Sequence, residues 1–447
     1  MSRRVIVIGG GAAGLIAAGR AAEVGADVIV LEKMREAGKK ILVSGQERCN
    51  ITNSAPLDKF LAHYGRNGRF LRNAFHRFFR DELLALLARY RVETQEERGG
   101  RIFPASGQAG DVRDALLHYA TTHHAEIRYR AEVQRLLVED GEILGVELAN
   151  GARIPAHAVI LATGGASWPA TGSTGDGYRM AQEAGHTIVP LRPALVPLTV
   201  VERGLAKTLQ GVSLRNVACT FYTRKGDGPT KALRIPYPMP PTARLSSPQA
   251  GEILFTHFGV SGPLILTASL AAVDALRDGA TVTLSIDLKP GMTTQEVHMR
   301  LQREFEENAH RRLPNLLKGW VPATLADALA GLSGISADGS PELTAGRPVH
   351  TIRAEERARL VALLKDFRWQ ISGSLPLASG MVTAGGVTLK EVHPVSFESR
   401  LVRGLHIAGE TLDIAADTGG FNLQAAFSTG YLAGEHAGSE VEREADG

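Results

Sequence analysis

Apolar residues in the first thirty-two positions follow one pattern, then another, then the first again. Val5-Ile6-Val7-Ile8 is a short unbroken apolar run, as expected of a strand buried on both faces in a parallel sheet. Helical spacing follows to about Val24 and stops at Gly25. Asp27-Val28-Ile29-Val30-Leu31 predicts a second buried strand with Glu32 at its carboxyl end. Two more runs of this kind recur downstream, Ala158-Val159-Ile160-Leu161 and Leu405-His406-Ile407-Ala408. The middle of the chain differs. Residues 191–290 carry short alternating segments, Pro197–Val201, Ala218–Tyr222 and Thr281–Ile286, which predict a β-rich region. Residues 293–330 are helical in spacing through Leu301, Phe305 and Leu316, and Thr293-Thr294-Gln295-Glu296 has capping-box form. Residues 353–367 predict a further helix, and 348–352 and 380–389 predict strands leading back to the first region.

Composition narrows the class. With 447 residues, 44% apolar and 22% charged, the chain suits two to three globular domains at roughly 150 residues each. That excludes disordered, collagen-like and small disulfide-stapled classes. Lys+Arg 50 against Asp+Glu 47 leaves +3, so overall charge selects no partner. Cys49 and Cys219 are too few for a disulfide framework or a Cys-rich zinc site, and no CxxC dithiol occurs; no metal is expected. No apolar run approaches the ~18–20 residues of a membrane span. Ser2-Arg3-Arg4 superficially resembles a twin-arginine signal, but Gly9-Gly10-Gly11 interrupts the apolar run behind it, and a cytoplasmic location is expected.

The glycines carry the chemistry. Gly9-Gly10-Gly11-Ala12-Ala13-Gly14 fits GxGxxG between the first strand and helix, and Glu32 lies 21 residues after Gly11. In this order the first glycine makes a tight turn, the second lets backbone approach a pyrophosphate, and the third lets helix pack on strand. The helix N-terminus offers unpaired N–H groups to phosphate, and the acid can bind ribose hydroxyls. A ligand-free glycine turn is the bland alternative. The fold class is therefore α/β. A discontinuous Rossmann-like domain (1–190 and 376–438) is expected, with an inserted β-rich domain (191–292 and 346–375), a helical subdomain (293–345) and a disordered tail (439–447). Gly226 to Ser247 holds Pro229, Pro236, Pro238, Pro240 and Pro241, which excludes a central strand and leaves a lid or a passive insertion.

Further segments make a resemblance specific. They are GKKILVSGQERCNITN from Gly38, ATGGASWPATGSTGDGY from Ala162, PALVPL from Pro193, GEILFTHFGVSGP from Gly251, VTAGGV from Val382 and GETLDIAADTGGFNLQAAFSTGY from Gly409. From residue 3 to about 436 the chain resembles the BaiN-like bacterial flavoproteins, a branch of the two-dinucleotide-domain FAD superfamily. That group includes aminoacetone oxidases, a bile-acid-pathway enone reductase and ribosomal RNA dihydrouridine synthases. The family motif S-G-G-G-R-C-N appears here as Ser44-Gly45-Gln46-Glu47-Arg48-Cys49-Asn50, two glycines replaced by longer side chains.

The resemblance implies non-covalent FAD, its adenine half at Gly9–Gly14 and its ring between the 44–53 loop and the 419–425 turn. Implied contacts are Gly9, Gly11, Ala12, Ala13, Gly14, Glu32, Lys33, Lys40, Ser44, Gly45, Arg48, Asn50, Thr52, Val133, Thr163, Gly164, Gly165, Asp176, Gly409, Glu410, Asp413, Gly420, Asn422 and Leu423. The 419–425 turn opens a predicted helix whose N-terminus would favour negative charge on the flavin, unless it is an ordinary capping turn. No second GxGxxG is present, so NAD(P)H, the expected transient electron donor, would reach the flavin from the substrate side.

The implied reaction is reduction of an activated C=C bond, with a uridine of large-subunit ribosomal RNA as leading substrate. Alternatives are a small-molecule enone reductase, an aminoacetone-type amine oxidase and a non-catalytic redox sensor. Such a reduction needs a proton donor and a group to polarise the carbonyl. Cys49 is the first candidate acid and His257 the second; either can instead be a packed structural residue. Arg48 and Arg400 are candidates to hold a carbonyl or phosphate, or simply form ion pairs. The stretch from Lys59 to Arg80 lacks acids and interleaves Phe60, Tyr64, Phe70, Phe75, Phe78 and Phe79 with arginines. It reads either as a ribosomal RNA face, with arginines on phosphate and aromatics on bases, or as an amphipathic helix whose aromatics pack inward.

Overall fold

A computed structural model describes residues 2–233, 251–335 and 347–439. Most of the proline-rich 226–247 segment, and the acidic 440–446 stretch, lie outside the described residues.

Strand β1 (Arg4–Ile8) passes through Gly9–Gly11 into helix α1 (Ala12–Glu23) and returns as β2 (Asp27–Glu32). Helix α2 (Lys39–Val43) and helix α3 (Leu57–Ala62) follow. Strands β3 (Glu126–Tyr129), β4 (Ala158–Leu161) and β5 (Leu405–Ile407) complete a five-stranded parallel sheet in the order β5-β4-β1-β2-β3. The unbroken apolar runs are explained by this placement: β1 and β4 are buried along almost their whole length. All five strands run the same way. Ile8, Glu32, Leu161 and Ile407 therefore end on one edge, and the glycine turns that follow three of them gather there.

The last helix, α4 (Gly419–Gly438), packs along α1. Small residues on both helices allow it. A side chain at Gly434 would stand 2.2 Å from the Ala17 carbonyl oxygen, and one at Gly430 2.3 Å from that of Ala13. The seam is parallel, with Gly430 beside Ala13 in the first turn of α1, so α4 starts roughly 16 Å beyond the start of α1, past the carboxyl edge of the sheet.

The described chain forms two compact units, which divide after Ala194 and after Leu375. In the second, six antiparallel strands close a barrel: Leu198–Val200, Ser213–Arg224, Gly251–Thr256, Gly259–Ser261, Thr281–Asp287 and Phe367–Ser374. The expected separate helical subdomain is corrected. Val297, Leu301, Phe305, Leu325 and Leu329 from its helices share one continuous core with Leu284, Ile286 and Trp369 from the barrel. The strand expected at 348–352 is instead a short 3-10 turn, Val349–Thr351. The 59–80 stretch is not one amphipathic helix but a series of short ones, ending in Arg72–Arg77. Among the described residues no helix is long and apolar enough to cross a membrane.

Candidate functional site

The glycine turn is built as the pattern requires. Gly9 has φ +101°, and a side chain there would stand 2.7 Å from the Ala162 carbonyl oxygen. A Cβ on Gly14 would lie 1.8 Å from the Gly9 oxygen, so only glycine lets α1 sit this close. Gly11 is different: a Cβ there meets no atom within 4 Å. The first turn of α1 has no side-chain cap and no acid, which leaves its N–H groups for an anion. Glu32 is buried at the end of β2, where its two oxygens accept 2.8 Å bonds from Gly10 N and Met34 N. Each oxygen retains a lone pair for a ribose hydroxyl. Val133, also buried, follows closely on Ala131, whose N–H bonds the Glu32 carbonyl at 3.0 Å.

The turns after β4 and β5 face this one. Thr163 Oγ1 lies 3.5 Å from Thr411 Oγ1, and Thr411 Oγ1 donates to Gly164 O at 3.4 Å. Gly409, at φ +69°, donates its N–H to Thr429 Oγ1 of α4 at 2.9 Å. Glu410 is engaged on both oxygens. It accepts from Lys40 Nζ at 2.7 Å and from Thr383 N at 2.7 Å, and the same lysine donates to Ser167 Oγ at 2.9 Å. A Cβ on Gly165 would meet Thr383 Oγ1 at 2.4 Å and Glu410 Oε1 at 2.6 Å. Asp176 pairs with Lys33, next to Glu32, and accepts from Thr174 Oγ1 at 2.9 Å.

The 44–50 loop turns back sharply, with Cys49 N bonded to Ser44 O at 2.9 Å. Gly45, Gln46, Glu47 and Cys49 all have positive φ, from 57° to 66°. Asn50 lies against the start of α4. With its amide turned accordingly, Oδ1 accepts from Gly420 N at 3.3 Å and Nδ2 donates to Thr52 O at 3.2 Å. Thr52 Oγ1 donates to Gln424 Oε1 at 2.7 Å, which fixes the loop to α4 from inside.

Sequence reasoning missed the residues that hold the 413–421 turn. Asn67 Nδ2 donates to the Asp413 carbonyl at 2.6 Å, His63 Nδ1 lies 2.7 Å from Asp417 Oδ1, and Tyr64 Oη donates to the Phe421 carbonyl at 2.6 Å. All three come from the 59–80 stretch. Their only signal was the helical spacing of its aromatics. Phe60, Tyr64, Phe75 and Phe78 are buried, and Phe60 packs on Phe421 with centroids 4.3 Å apart. These four rings are therefore not available to stack on bases, whereas Arg66, Arg69 and Arg72 are exposed.

Several expected site residues are placed elsewhere. Cys49 is fully buried and burial pushes its thiol up to about 12; a thiol held there does not reach a ligand in the crevice. Arg48 pairs with Glu97 and lies 4.4 Å over the Phe103 ring. Arg400 is exposed, with its backbone N–H on Glu391 O, next to Ser399, whose N–H bonds Leu405 O. That is the amino end of β5, the edge opposite the glycine turns, so Arg400 is removed from the site. Asn422 spends its amide on the turn itself, bonding Ala416 N, Ala416 O and Thr418 O, which leaves only its backbone for a ligand. Leu423 is partly buried beside it. His257 is exposed on the tight turn joining Gly251–Thr256 to Gly259–Ser261 in the second unit. A Ser399–His186–Glu391 alignment, with links of 2.8 and 3.1 Å, is no nucleophile site. Ser399 and His186 are buried, and Ser399 Oγ accepts N–H bonds from Leu401 and Val402.

The residues present fit FAD. An uncapped helix start faces open space at Gly11, a buried acid with lone pairs to spare sits at the end of β2, and a second helix, α4, starts without acids, with Asn50 on its Gly420 N–H. This fold and site define a Rossmann-type FAD-dependent oxidoreductase. The profile of the HI0933-like protein Rossmann domain matches residues 3–436, and the chain belongs to that family, the BaiN-like flavoproteins. It is 32% identical over 437 residues to a 3-dehydro-bile acid delta(4,6)-reductase of Clostridium scindens, covering 97% of this chain and 98% of the relative. It is 29% identical over 430 residues to a ribosomal RNA dihydrouridine synthase of Haemophilus influenzae (95% and 96% covered). An Escherichia coli protein of the same name is 28% identical over 429 residues (95% and 96%).

Proposed function

We propose that this enzyme reduces a C=C bond conjugated to a carbonyl, with NAD(P)H as electron donor. The observation that carries the reading is that α1 and α4 lie side by side with both N-termini directed past the carboxyl edge of the parallel sheet, the start of α4 farther out than that of α1. When bound, FAD supplies a two-electron relay, accepting hydride from NAD(P)H and giving hydride to the carbon β to the carbonyl. The chain's own part is to bind and orient. Gly9 to Gly14 and Glu32 hold the adenosine diphosphate half. Lys40, Gly165 and Glu410 border the middle. Asn50 and the start of α4 at Gly419 hold the ring edge, where the helix terminus favours negative charge. A proton must reach the α carbon to complete the reduction. Cys49 is set aside by its burial, which leaves this step to another side chain or to water.

The leading substrate is a uridine of large-subunit ribosomal RNA, whose C5=C6 bond is conjugated to C4=O; the names of two relatives support it. A small cyclic enone is the second reading. It is favoured by the 32% identical relative and by the burial of the aromatics in the 59–80 stretch. Nucleoside analysis of ribosomal RNA from a deletion strain tests the first: a missing dihydrouridine is expected, and an unchanged content overturns it. NAD(P)H consumption by the purified enzyme with a 4-en-3-one steroid tests the second. An enzyme that reduces neither acceptor contradicts the reductase reading.

A further inference from the structure

We propose that the indole of Trp168 is the face on which the planar conjugated ring of the substrate stacks; this deepens the reductase reading and rests on it. Trp168 has φ +54° and ψ +63°, a left-handed conformation that a bulky side chain rarely adopts. Such strain persists where its surroundings enforce it, and it concentrates at functional positions. The enforcement is visible. Trp168 N donates to Ala378 O at 3.2 Å, and its carbonyl accepts from Thr171 N at 2.9 Å and Thr171 Oγ1 at 2.8 Å. The outcome is an indole left 41% exposed, whereas the other two tryptophans, Trp320 and Trp369, are 5% and 0% exposed.

Its place gives the exposed ring a use. The preceding residue, Ser167, is buried, and its hydroxyl joins Lys40 (2.9 Å) and Glu410 (3.3 Å), both in the proposed cofactor cradle. Met381, whose carbonyl lies 3.4 Å from Ser167 Oγ, is exposed, and so is Val43, three residues beyond Lys40 on α2. Three exposed apolar residues thus lie close along the chain to the polar residues of the cradle. The ring of a cyclic enone and that of uracil share the chemistry this border suits: a flat, uncharged π face with a polar carbonyl edge.

The test uses the FAD-loaded protein, with a 4-en-3-one steroid and a short oligouridine as separate probes. Tryptophan emission quenched by acrylamide is expected to show one accessible component, which Trp168→Phe removes. Either probe is expected to shield that component; which one does so identifies the source of the ring. Trp168→Ala is expected to raise KM for the reduced probe about tenfold, more than it lowers kcat, with FAD content unchanged; Trp168→Phe restores most of the loss. Turnover without shielding, or with KM unaltered in Trp168→Ala, overturns the stacking face and spares the reductase reading. Shielding without turnover of either probe overturns the reductase reading and spares the stacking face. Neither shielding nor turnover overturns both.

Discussion

His63 Nδ1 lies 2.7 Å from Asp417 Oδ1, and the His63 ring stacks on Phe421 with centroids 3.7 Å apart. The two residues stand 354 positions apart in sequence. Together they fasten the turn that opens α4 to the segment following α3. Burial pushes the Asp417 carboxyl up, against the pull of His63. The pair is therefore a positioning device for the amides at Gly419 and Gly420. His63→Phe keeps an aromatic on Phe421 but leaves Asp417 buried without this partner. It is expected to cost roughly 1–3 kcal/mol in urea denaturation and to weaken FAD binding. Adding Asp417→Asn recovers part of the stability, because a neutral amide is cheaper to bury than a carboxylate.

The fingerprint glycines separate folding from binding. Gly11→Val places its side chain where a Cβ meets nothing within 4 Å, so the protein is expected to melt as the wild type does while losing FAD. Gly14→Ala drives a methyl onto the Gly9 oxygen and is expected to lose roughly 1–3 kcal/mol of stability as well. Thermal melts and flavin content on the same preparations distinguish the two.

Gln46 and Glu47 keep the left-handed backbone that glycine adopts at low cost, with φ +58° and +66°. Their side chains are exposed. Gln46→Gly and Glu47→Gly are each expected to hold stability level or raise it by up to about 1 kcal/mol, since relief of strain outweighs the added freedom of the unfolded chain. A loss of more than about 1 kcal/mol for either would mean that the side chain makes a stabilising contact.

His406 is fully enclosed in β5, with Nδ1 2.9 Å from the Ser396 carbonyl oxygen and Glu398, His436 and Arg3 nearby. Burial lowers its pKa to about 4. The unfolded chain takes up this proton near pH 6.5 and the folded chain only near 4, so the folded state binds fewer protons between those values. Stability from this group is complete above about pH 6.5 and declines as pH falls toward 4, by roughly a few kcal/mol. His406→Gln, though less stable at neutral pH, is expected to show a flatter decline over that window in pH-dependent denaturation.

Local rules carried the βαβ unit into legibility. Strand, glycine turn, helix, strand and acid each have a short-range cause, and β1, α1 and β2 fall where the pattern puts them. What failed depended on distant partners. The aromatics of the 59–80 stretch have helical spacing on any account, but only Phe421, far along the chain, shows that their faces are covered. Arg400 has suitable chemistry, yet the direction of β5 puts it on the wrong edge of the sheet. Residues 348–352 hold β-branched side chains without a ladder to join, and local turn bonding took them instead. Lys40 and Glu410 were named separately; their 2.7 Å contact joins residues 370 positions apart.

The central claim is that the carboxyl edge of the parallel sheet holds FAD. Its most direct test is titration of flavin-stripped protein with FAD, followed by visible absorbance, with circular dichroism on the same sample. Saturation at one FAD per chain is predicted, with the flavin released intact on denaturation and no uptake by Gly11→Val. A folded wild-type chain that stays colourless through the titration would contradict it.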